Sequence, residues 1–173
     1  MRRWLPAAVA LVFALATAVG LGLVTSHRQQ PIIMHWAGPG EVQEVLGMEF
    51  ELLSVSAVEY EPQGISDPVP TGAVAVVAEI RQRVGEVPLD PYDLACEVRL
   101  HNGPDSWYPD YDVAYDLELE PDCHRVDGED VTAGIVRTIS VGWVVPESAL
   151  DGARVALRFY GVERAGIGFS AEG

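Results

Sequence analysis

Cys96, His101, Cys123 and His124 all fall in one stretch, "YDLACEVRLHNGPDSWYPDYDVAYDLELEPDCHR", which runs from Tyr92 to Arg125 and holds both cysteines of the chain. Thiolate and imidazole side chains are the usual ligands of zinc and the usual nucleophile and base of cysteine catalysis. The spacing argues against both. The cysteines are twenty-seven positions apart, whereas a zinc site normally brings a pair at close spacing such as C-x2-C. Cys123 and His124 are adjacent and point in different directions in an extended chain. His101 falls on the opposite face of its strand from Cys96. The remaining chemistry is a disulfide between Cys96 and Cys123, which requires an oxidising compartment.

The same region is dense in carboxylates. Calcium takes six to eight oxygen ligands, and Asp105, Asp110, Asp112, Asp127, Glu129 and Asp130 are the residues able to supply them. Their spacing is not that of an EF-hand loop, so calcium is an alternative and the expectation is no cofactor. Trp107, Tyr108, Tyr111 and Tyr115 cluster around an expected turn, with Trp107, Tyr108 and Tyr111 as the expected partner-binding residues. Exposed aromatics of this kind anchor protein or glycan partners; buried, they close the open end of a sandwich. No G-x-S-x-G, P-loop, dinucleotide fingerprint or H-E-x-x-H occurs, and no catalytic residue is assigned.

The elements that position these residues have the period of strands. In "AVAVVAEIRQR", Val74, Val76, Ala78 and Ile80 fall on one face and Glu79, Arg81 and Arg83 on the other; in "LACEVRLH", Cys96, Val98 and Leu100 alternate with Glu97, Arg99 and His101. Ile139, Val141, Trp143 and Val145 share a face, as do Val155, Leu157 and Phe159. "VAYDLELE" alternates in the same way and predicts a further strand over Val113–Glu120. Such segments have one dry and one wet face, the pattern of antiparallel sheets on a shared core. "GMEFELLSVSAVEY" changes parity near Leu52 and Leu53, which predicts a β-bulge there. Gly and Pro clusters separate the runs.

The first residues have a different composition. Trp4–Val24 contains no charged side chain and is long enough to cross a hydrocarbon core of ~30 Å as a helix. Arg2 and Arg3 precede it, which places the N-terminus in the cytoplasm and the rest outside. Small residues at Ala14, Ala16 and Ala18 make a cleavable signal peptide the alternative, with secretion as its outcome. The apolar run continues past them to Val24 and favours an uncleaved anchor. The net charge of -15, with no lysine, repels phosphate backbones and argues against nucleic acid as a partner.

The expected organisation is a cytoplasmic N-terminus at 1–3, a transmembrane anchor at 4–25, a linker at 26–40, an exported β-domain at 41–165 and a tail at 166–173. The opening Gly-Met-Glu-Phe strand, "TGAVAVVAEIRQRVGEVPLDPYDLACEVRLHNGPDSWYP", the strand ending "VGWVVPESA", and "ARVALRF" follow in order. Over Gly47–Gly161 this order resembles the immunoglobulin-like (telokin-like) domains of exported bacterial proteins of unknown function. The resemblance implies an all-β, antiparallel immunoglobulin-like sandwich with a binding or structural role and no catalytic residues. The partners expected are the lipid bilayer, through the N-terminal helix, and another envelope protein or wall component.

Overall fold

The computed structural model describes residues 33, 35–63, 68–85, 95–126, 129–160 and 166–171. The expected anchor and most of the expected linker lie outside them. Among the described residues no helix is long and apolar enough to cross a membrane.

Two sheets share one core. The first contains β1 (Trp36–Ala37), β5 (Cys96–Asn102), β6 (Asp105–Trp107), β10 (Arg154–Phe159) and β11 (Gly166–Ser170), in the order β1-β11-β10-β5-β6. The second contains β2 (Val42–Val45), β3 (Met48–Val58), β4 (Ala73–Val84) and β9 (Val136–Pro146), in the order β2-β3-β4-β9. All neighbours run antiparallel except β1 and β11, which are parallel. A small hairpin joins β7 (Arg125–Val126) to β8 (Glu129–Asp130).

Strand alternation decides which residues meet. Phe50 and Leu52 on β3, Val76, Ala78 and Ile80 on β4, and Ile139, Val141 and Trp143 on β9 face Val98, Leu100, Val155, Leu157 and Phe159 of the other sheet. The rings of Phe50 and Phe159 meet across the core at 5.6 Å. Burying each such side chain contributes about 1.5–3 kcal/mol. The register of β3 on β4 shifts between Leu52 and Ser54. This is the expected bulge, and it returns Val55 to the side of Ala78.

Three segments depart from the sequence expectation. The strand expected over Val113–Glu120 does not form: its first four residues belong to the helix α1 (Tyr111–Asp116), and residues 117–120 leave that helix through a turn. β11 lies in the range expected as a tail and buries Ile167 and Phe169. β1 lies in the range expected as a linker and buries Ala37. The first sheet therefore extends beyond 41–165 at both ends. Short apolar runs at the margins of a domain carry too few residues to display a period.

Candidate functional site

The site is the excursion from Tyr108 to Val126, which leaves β6 at the edge of one sheet and crosses to β9 at the edge of the other. Asp110 starts the helix: its carboxylate accepts from the backbone N–H groups of Asp112 (3.0 Å) and Val113 (3.3 Å). This is an ordinary N-cap. The helix ends at Leu117, and Glu118 takes a left-handed φ of 52°. Val113 is fully buried and Ala114 nearly so, while Tyr111 and Tyr115 point to solvent.

An unpaired strand edge invites another chain, and the excursion covers that of β9. The Asp110 N–H donates to the Gly142 carbonyl (2.9 Å), and the Ser140 N–H donates to the Glu120 carbonyl (3.0 Å). Gly142 faces away from the core, opposite Val77 in the register. A Cβ there would lie 2.5 Å from Val113 Cγ1 and 3.0 Å from Leu119 Cδ1. Glycine thus makes the notch that seats the helix. We expect Gly142→Ala to lower stability by about 1–3 kcal/mol, the usual cost of overpacking, and to speed amide exchange at Ser140. An unchanged urea midpoint would show that the helix is not seated on β9.

Two further contacts hold the excursion. The Tyr60 hydroxyl and the Gln63 N–H both donate to Asp116 Oδ2, at 2.9 and 3.0 Å. Burial, then the bond to Asp116 and the nearby charges of Asp116, Asp110 and Asp112, push the Tyr60 hydroxyl up to about 12. At the other end, Gln82 is fully buried and donates to the Cys123 carbonyl (2.9 Å) and to Met48 Sδ (3.3 Å). Its side-chain oxygen accepts from Arg137 Nε (2.8 Å), and the same guanidinium donates to the carbonyls of Arg125 (2.6 Å) and Asp122. Burial lowers the Arg137 pKa from its ordinary value, opposed by the charges of Glu120 and Asp122.

Cys96 and Cys123 form a disulfide, with their Cα atoms 5.6 Å apart. It joins β5 to the excursion. Cys123 is fully buried, and Cys96 packs against the core. His101 lies on the outer face of the first sheet, edge-on to Trp36 at 6.1 Å. Burial, then the charge of Arg99, lowers its pKa from the ordinary imidazole value.

The expected calcium ligands go to separate tasks. Asp110 caps α1, Asp112 is exposed on its first turn, and Asp105 closes the β5–β6 hairpin opposite Asn102. Asp130 pairs with Arg125 at 3.6 Å on the β7–β8 hairpin. The backbone of Glu129 belongs to β8, and Asp127 lies outside the described residues. Among the described residues no three His, Cys, Asp or Glu side chains are grouped to hold a metal ion.

The aromatic residues also divide. Trp107 is half-buried against the core. Tyr108 is 61% exposed, with the Arg99 guanidinium 4.0 Å from its ring and bonded to its hydroxyl at 2.7 Å. Tyr111 is free of the core, and Tyr115 stands beside it one helical turn on. The Asp110 cap followed by Asp112 was the available signal for that helix. Gln82 was also missed. It has the parity of Val76, Ala78 and Ile80, so the strand pattern alone places it inside.

No family model matches the chain, and no curated protein matches it. Two solved structures are similar. One is a candidate lipoprotein, ycdA, of Bacillus subtilis subsp. subtilis str. 168, with 13% identity and a TM-score of 0.46; the match covers 76% of this chain and 38% of that one. The other is a conserved hypothetical protein of Bacillus anthracis, with 14% identity and a TM-score of 0.43, covering 71% of this chain and 88% of that one. The chain thus spans well under half the length of ycdA.

Proposed function

We propose that this chain is a membrane-anchored, extracytoplasmic binding or scaffolding module without enzymatic activity. In this reading it is an immunoglobulin-like sandwich carried on a helix spanning residues 4–25. Its partner is another envelope protein or a wall component. The observation that carries the reading is the disulfide. A Cys96–Cys123 bridge persists outside the reducing cytoplasm, and the charge-free run Trp4–Val24 behind Arg2 and Arg3 supplies a route there. The exposed aromatic face of the excursion supplies a surface for the partner.

The test is the intact mass of protein taken from its native membrane, denatured with and without a thiol alkylator. The expected result is the full 18.7 kDa chain in the membrane fraction, unalkylated until a reductant is added. A mass short by about 16 to 18 residues would make it a secreted protein. Two thiols that alkylate without reductant would overturn the export argument.

A further inference from the structure

Helix α1 has an outer face that its own docking does not use. Val113 and Ala114 turn toward β9, which leaves Tyr111 and Tyr115 81% and 85% exposed. Residues four apart on a helix lie side by side, so the two rings form one surface. That surface is held in place by the Asp110 cap, the bonds to the edge of β9, the Gly142 notch and the grip of Tyr60 and Gln63 on Asp116. A partner would not have to order it on binding.

The surroundings specify the sign of the partner. Asp110, Asp112 and Asp116 all act on the hydroxyl of Tyr60, so their charges converge on one region. No arginine or lysine occurs between Arg99 and Arg125. Among the described residues neither Asp110, Asp112 nor Asp116 forms an ion pair. Aromatic faces attract cations through their quadrupole, and nearby carboxylates add to that attraction. Elsewhere the protein meets the same demand internally. Arg99 lies over Tyr108, Arg154 over Trp36 and Arg158 over Tyr160, at 4.0, 5.2 and 5.9 Å.

We infer that the Tyr111–Tyr115 face of α1 is a docking surface for a cationic polypeptide segment. The partner's arginine or lysine side chains lie on the two rings and pair with the carboxylates of the helix. This rests on the binding role proposed above and names the surface and the partner's chemistry.

The test uses the full chain in neutral detergent and a fluorescent hexa-arginine peptide at low salt. Replacing both Tyr111→Ser and Tyr115→Ser, which keeps every charge, should weaken binding about fivefold to tenfold with the melting temperature unchanged. Glu44→Gln should change nothing, because Glu44 is exposed on β2 at the opposite edge of the sheet from β9. Binding that survives loss of both tyrosines, or that weakens equally with Glu44→Gln, would reduce the effect to overall charge and overturn the proposal. In native membranes, benzoylphenylalanine replacing Tyr115 should crosslink to an arginine- or lysine-rich peptide of another protein. An adduct with a second copy of this chain would overturn a separate partner. Adducts obtained only with Leu53 replaced, on the bulge of β3, would overturn this surface and leave the binding role standing. Adducts from neither position overturn both.

Discussion

A Cys96→Ser variant should melt about 10 °C below the parent. The bridge closes a loop across a sequence separation of 27 residues, and the chain-entropy model assigns such a loop about 3.5 kcal/mol. For a domain of this size each kcal/mol moves the melting temperature by roughly 2–4 °C. The bridge also fastens an excursion that has little core of its own: α1 buries only Val113 and Ala114. Losing it should therefore be felt first at the edge of β9, as faster amide exchange at Ser140. Serine at position 96 is only half-buried and adds little penalty of its own, whereas position 123 is fully enclosed. Reductant applied to the parent provides an independent route to the same state. If neither serine nor reductant moves the melting temperature, the staple contributes nothing and the fold rests on its two sheets alone.

Gln82→Leu should cost about 2–4 kcal/mol despite the nearly equal volume. Leucine removes the partner of the buried Cys123 carbonyl and of Arg137 Nε together. Each orphaned group costs about 1–3 kcal/mol, and more where the group is charged. The better transfer of leucine into an apolar core returns part of this. Because Gln82 holds the backbone of Cys123 itself, the variant should couple to Cys96→Ser. Denaturant midpoints of the two single variants and the double variant give the interaction energy. Contacting residues show about 0.5–3 kcal/mol of non-additivity. A double variant whose loss equals the two single losses would separate the clamp from the staple. Gln82→Leu at parental stability would show that the Gln82 bonds to Cys123 and Arg137 contribute nothing to the fold.

The parts of the fold legible in the sequence are those where burial imposes a period on many residues. Val76, Ala78 and Ile80, or Ile139, Val141 and Trp143, form long half-dry strands, and no other element reads that way. The bulge at Leu52 was legible as a break in parity. The disulfide was legible because two cysteines on an expected exported chain have few other uses. The helix α1 was not. Val113, Tyr115, Leu117 and Leu119 alternate as a strand would, and one and a half turns are too short to display the period of 3.6. Its burial comes from a glycine on a distant strand, which no local pattern announces. The expected ligand and partner sets are neighbours in sequence. The structure divides them according to which side chains the cap, the hairpins and Arg99 had already engaged.

The parallel pairing of β1 with β11 decides how the domain would bear a pull. Strands that run the same way, one loaded through the chain entering it and the other through the chain leaving it, slide along each other rather than peel apart. Trp36 and Ala37 would resist together with Gly168 and Phe169. The Trp36 ring sits so close to Gly168 that a Cβ there would lie 2.5 Å from it, and this adds friction to the same motion. With two residues engaged, β1 yields early. The β2–β3 hairpin behind it remains paired through Val42–Val45. At about 3.5 Å per extended residue, releasing 36–41 pays out on the order of 20 Å of chain. Apart from exposing Ala37, the core stays closed. On a chain hung from a bilayer, β1 would act as a short fuse that lengthens the tether before the domain itself carries the load.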